Sequence, residues 1–131
     1  MTTHISVHVT AGVRRTGRLL FALALVLVFA GSVMKIPLGP GLRFSDKVGH
    51  AVVFFLLAAL AQLGYAERRT VARLMLALLG YGLFIELVQA LLPWRQFSWL
   101  DWAADAVGIA LCVALARWLR DRPAACGRVG A

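Results

Sequence analysis

Leu19 to Met34 runs without a charge, and three further long apolar stretches follow it. These runs constrain the fold more than any other feature of the chain. A soluble protein would have to bury such stretches on every side. The hydrophobic share is 61%, against about 45–50% in a soluble domain. That excess is accounted for when lipid is the solvent and spans of about 20 residues are the building unit. The length leaves room for one unit of a few spanning helices, not for two domains.

The punctuation between the runs places the helices. Residues 1–18 are polar, end in Arg14, Arg15 and Arg18, and read as a mobile basic tail. The first helix is expected over about 19–36. A basic segment before an apolar core, with small residues at Ala30 and Ser32, is also the layout of a secretory signal. This core is longer than the usual signal range, which favours an uncleaved first helix. Pro37, Gly39, Pro40 and Gly41 mark a turn-rich loop. Ser45 is the expected N-cap of a second helix over about 46–65, with Asp46 in its first turn. Glu67, Arg68 and Arg69 form a short charged connection. A third helix is expected over about 71–92 and a fourth over about 99–119, joined through Pro93 to Ser98. Pro123 and Gly127 place residues 121–131 in a disordered tail. The fold class is all-α, a four-helix transmembrane bundle within residues 19–120.

The basic residues orient this bundle. The net charge is +8, but the basic residues gather at the ends of apolar runs, and no nucleic-acid motif accompanies them, so no nucleic-acid partner is expected. If four helices cross, Arg14, Arg15, Arg18, Arg68, Arg69, Arg73, Arg117, Arg120, Arg122 and Arg128 share one side. Lys35, Arg43, Lys47 and Arg95 share the other. The excess of Lys and Arg marks the cytoplasmic side, which holds both termini. Trp94, Trp99 and Trp102 group at one interface and Trp118 near the other, as in an aromatic belt.

Nothing in the spacing points to a metal or cofactor. Cys112 and Cys126 fall at different depths and form no CxxC or zinc cluster. His4 and His8 have helical spacing but lie in the tail without a third ligand. No nucleophile elbow, HExxH, P-loop or GxGxxG is present. Ala106, Ala110 and Ala114 repeat every four residues and are expected to let helices approach closely, as are Gly80 and Gly82.

The polar residues of the apolar region are unevenly placed. Glu86, Asp101 and Asp105 are three of the six acids in the chain. Asp46, Lys47 and His50 begin the second helix. Glu86 and Gln89 lie near the end of the third, Arg95 in the following loop, and Asp101 and Asp105 in the first turns of the fourth. All of them reach the extracytoplasmic side. Asp46 and His50 are four apart and share a face, as do Asp101 and Asp105. Glu86 lies about 9 Å below the loop at 1.5 Å per residue. An ionised carboxylate there costs several kcal/mol unless paired or wet, so Lys47, His50 and Arg95 are expected as partners. Such a set can hold a polar head group, stabilise a phosphate or perform acid–base chemistry, with His50, Glu86 and Asp101 as catalytic candidates. It can also simply pin helices together.

In order, Asp46-Lys47-x-x-His50, Glu86-x-x-Gln89, Pro93-x-Arg95 and Ser98-x-x-Asp101-x-x-x-Asp105-x-x-Gly108 resemble the VanZ-like family. The match runs from about Phe44 to Leu115. The resemblance implies a small multi-pass protein of the bacterial inner membrane, related to resistance against the glycopeptide teicoplanin. It marks Asp46, Lys47, His50, Glu86, Gln89, Arg95 and Asp101 as the functional set. Asp105 departs from the pattern, since the family commonly has Asn there. An amide can donate a hydrogen bond, whereas an ionised carboxylate only accepts. The expected partners are membrane lipids and an envelope lipid or glycopeptide-type ligand, with no cofactor. The competing functions are an enzyme acting on a lipid-linked envelope substrate, with His50 as acid/base, and a scaffold held by buried ion pairs.

Overall fold

The computed structural model describes residues 10–35 and 43–122, with the side chains of 43–45 left aside. Four α-helices account for nearly all of them: α1 (Ala11–Val33), α2 (Arg43–Gly64), α3 (Arg68–Ala90) and α4 (Trp99–Asp121). Each contains a stretch long and apolar enough to cross a membrane. A helix of 23 residues is about 35 Å long, against a hydrocarbon core of about 30 Å. The described protein is therefore all-helical, with the architecture of a multi-pass membrane protein. His4, His8, the Pro37–Gly41 loop, Cys126 and the tail from Pro123 onward lie outside the described residues.

Three helix starts differ from the sequence expectation. The first helix begins at Ala11, so Arg14, Arg15 and Arg18 belong to it and not to a tail. Thr10 caps it, its hydroxyl accepting from Val13 N at 3.4 Å. Arginine is a good helix former, so charge ended the apolar run without ending the helix. The second helix begins at Arg43, which puts Ser45 inside it and not at its N-cap. The third helix starts at Arg68, so Arg68 and Arg69 belong to it and not to the expected charged connection, and it ends at Ala90, with Leu91 and Leu92 already turning. Ser98 caps α4, its hydroxyl accepting from Asp101 N at 3.3 Å.

Helix α2 is the centre of the bundle. It packs most extensively on α4 and next on α1. Phe54, Leu57, Ala58 and Ala61 carry its buried face and meet Leu78 and Ile85 of α3, Ile109 and Cys112 of α4, and Phe21 of α1. Two close approaches set these contacts. A Cβ at Gly108 would run into the Ala51 carbonyl, so only glycine lets α4 lie this close to α2. Gly17 and Gly64 do the same between α1 and α2, and Arg18 Nε donates to the Gly64 carbonyl at 2.9 Å.

The alanine row of α4 is not the packing seam. Ala110 and Ala114 are exposed, while Asp101, Asp105, Gly108, Ile109 and Cys112 face inward. The row is set off from Gly108 by two positions, which turns it to another side of the helix. Gly80 is likewise exposed with open space around it, whereas Gly82 is buried. Large apolar side chains such as Leu23, Leu27, Val52, Leu76, Leu87 and Leu111 point outward. That outer surface is suited to lipid, because large apolar side chains exposed on all four helices make it up.

Candidate functional site

The start of α2, the end of α3 and the start of α4 meet at one end of the bundle. Their polar residues form bonds that cross between helices. Lys47 Nζ donates to Asp101 Oδ1 at 2.8 Å, tying α2 to α4. One turn deeper, His50 Nδ1 stands 2.9 Å from Asp105 Oδ1. Asp105 is 1% exposed. The two pairs form successive rungs because Asp101 and Asp105, and Lys47 and His50, are spaced by about one helical turn. Of the expected cation partners, two are thus assigned: Lys47 takes Asp101 and His50 takes Asp105.

Glu86 is held differently. It is fully buried, and its Oε2 accepts from the backbone N–H of Ser98 at 2.9 Å, not from a cation. The connector after α3 therefore folds back to the depth of Glu86 before α4 begins. Its other oxygen, Oε1, is the buried side-chain polar atom without a hydrogen-bond partner among the described residues. Gln89 is also buried, and its Nε2 donates to the Ser32 carbonyl at 3.0 Å, which brings α1 into the network. Trp102 Nε1 donates to the Leu79 carbonyl at 3.0 Å. That bond anchors the ring between α3 and α4, while Trp94 and Trp99 stay exposed.

Gly82 has a role that its sequence context did not disclose. A Cβ there would stand 2.5 Å from Asp105 Oδ2 and 3.3 Å from Phe54. The missing side chain makes the space that the carboxylate occupies. The Ser98 N–H and the Ser32 carbonyl were also invisible as site groups, since backbone polarity is the same at every position. Only the helix-capping pattern at Ser98 hinted that its neighbourhood was fixed.

Above these rungs lies an open cleft of about 510 Å³, lined by Asp46, Lys47, Gln89, Arg95, Ser98 and Asp101 together with the connector's Trp94 and Phe97. Of the eight residues singled out by spacing, Asp46, Lys47, Gln89, Arg95 and Asp101 line the cleft, and His50, Glu86 and Asp105 are not part of its lining. A bound anion would meet Lys47 and Arg95, and a hydrogen-bonding head group would meet Gln89 and Ser98. One ring nitrogen of His50 and one carboxylate oxygen each of Asp46 and Asp101 lie within 4.8 Å of one another, near enough to share a metal ion. No spacing rule pointed to that trio, because Asp101 comes from a different helix.

No known family, curated protein or solved structure matches the chain.

Proposed function

We propose that this chain is a VanZ-like protein of the bacterial inner membrane, with both termini in the cytoplasm and its polar cleft open to the outer leaflet. There it binds an envelope lipid or a glycopeptide-type ligand, in a role related to teicoplanin resistance. The observation that carries this reading is the open cleft of about 510 Å³ lined by Lys47, Arg95, Gln89 and Ser98. A scaffold held together by ion pairs has no use for an open polar mouth. The Lys and Arg distribution supports the orientation. Identification of co-purified lipids by native mass spectrometry tests the reading. The folded Lys47→Gln/Arg95→Gln double variant is expected to lose an anionic species that the unaltered protein retains. An identical lipid complement in both would count against it.

The second reading is an enzyme acting on a lipid-linked envelope substrate, and the His50–Asp105 pair favours it. A carboxylate at 2.9 Å from Nδ1 holds an imidazole in one tautomer, which leaves Nε2 for proton transfer. The carboxylate beside His50 is Asp105, not Glu86 or Asp101, the other catalytic candidates of the sequence. Incubating the purified protein with a panel of envelope lipids and following mass changes tests it. Absence of turnover across the panel removes the enzyme reading and leaves the binding reading intact.

A further inference from the structure

Four carboxylates gather at the polar end of the bundle. They are Asp46, Glu86, Asp101 and Asp105, with Lys47 and Arg95 lining the cleft beside them and Lys35 Nζ 6.0 Å from the ring of Trp94 at its mouth. Lys47 is committed to Asp101 Oδ1 at 2.8 Å. Glu86 has an unpartnered oxygen, Oε1, at zero exposure, and it lies within electrostatic reach of Asp101, His50 and Asp105. A buried carboxylate oxygen without a partner is a standing cost that a cation bound nearby relieves.

We propose that Asp46, His50 and Asp101 form a divalent-metal site at the base of the cleft. Their donor atoms already lie within 4.8 Å of one another. Ligands at about 2.0–2.2 Å from an ion stand roughly 3–4 Å apart, so modest side-chain rotation closes the set. With His50 Nδ1 in its bond to Asp105, Nε2 is the nitrogen that ligates. Asp105 then serves as the carboxylate that orients a ligating histidine and raises its basicity. Asp101 keeps Oδ2 for the ion while Oδ1 holds Lys47. One imidazole with two carboxylates suits Mn²⁺ or Zn²⁺ better than Ca²⁺, which prefers an all-oxygen shell. Asp46 and Asp101 also line the cleft, so the open coordination positions face its contents. That the ion grips a phosphate oxygen of a lipid head group rests on the binding reading above; the metal site does not.

The test uses the full chain in a phosphate-free maltoside micelle titrated with MnCl₂. One tightly held Mn²⁺ per chain is expected, with ¹⁴N coupling from a histidine in its pulsed EPR spectrum. Asp46→Asn and Asp101→Asn should each weaken binding at least 10-fold, and Asp105→Asn about 10–100-fold. Glu67→Gln and Asp121→Asn, at the opposite end, should leave it unchanged. The ¹⁴N signal is read on the unaltered protein, so it does not depend on any variant folding. No Mn²⁺ or Zn²⁺ held by the folded protein, or an Mn²⁺ spectrum without nitrogen coupling, overturns the site. A second arm adds phosphatidylglycerol or inorganic phosphate and follows ³¹P broadening by the bound Mn²⁺. Broadening of the lipid phosphorus alone supports a lipid head group, and broadening by both assigns the site to phosphate in general. Broadening by neither removes the phosphate-gripping role while the metal result stands.

Discussion

The backbone N–H of Ser98 donates to Oε2 of the fully buried Glu86 at 2.9 Å, so the connector between α3 and α4 is bonded into the bundle and not laid over its end. The same serine caps α4 with its hydroxyl. One residue thus fixes both the depth of the connector and the start of the helix that carries Asp101 and Asp105. Glu86→Gln keeps an acceptor for that N–H and should leave thermal stability within a few degrees. Glu86→Ala removes the acceptor and leaves a cavity, at a cost of about 2–4 kcal/mol. Thermal unfolding of both variants in detergent checks the contrast, and equal losses would mean that the bond is incidental.

Gly108 is the point where α4 comes closest to α2. Gly108→Ala would drive its methyl into the Ala51 carbonyl. Overpacking of this kind costs about 1–3 kcal/mol. Ala110→Leu, on the exposed side of α4, is expected to cost almost nothing. Chemical denaturation of the two variants side by side measures this difference. A larger effect at Ala110 would place the packing seam on the alanine row instead.

The rung between Lys47 and Asp101 predicts a charge-swap result. Lys47→Asp alone removes the 2.8 Å ion pair and sets like charges facing each other between α2 and α4. It should lower stability by about 1–3 kcal/mol. Adding Asp101→Lys should recover at least half of that loss. A double-mutant cycle on melting temperature gives the coupling, and additive losses would show that the pair does not interact in the folded protein.

Orientation has a direct test in the exposed Gln96 of the connector. A single cysteine at this position, in a Cys112→Ser/Cys126→Ser background, is expected to react with a membrane-impermeant maleimide on intact cells. Labelling only after lysis would place the cleft in the cytoplasm and end the outer-leaflet reading.

Gly82 predicts a local effect on the second rung. Gly82→Ala should push the Asp105 carboxylate aside and weaken its 2.9 Å contact with His50. The His50 ring resonances report this directly by NMR, and unchanged shifts would mean that the carboxylate has room to spare. A loss of ordered structure would be seen in the same spectra.

The number of helices was legible because a chain that spans a bilayer must satisfy its backbone within each segment, and the apolar runs state that requirement outright. Their ends were less so. Arg14, Arg15 and Arg18 read as a tail because charge interrupts hydropathy, yet arginine continues a helix as readily as leucine does. The spacing of Asp46 with His50 and of Asp101 with Asp105 gave each pair a common face, since helical periodicity operates within one element. Which acid meets which base depends on the register between two elements, and that register is set by Gly108 against Ala51 and by Gly82 beneath Asp105. Nothing local distinguishes those glycines from the exposed Gly80. The chain alone specified four apolar helices and a polar set at one end of them. Side-chain contacts between helices assigned Lys47 to Asp101 and His50 to Asp105, and left Glu86 to a backbone N–H, because hydrogen bonds are chosen by distance in space and not by separation along the chain.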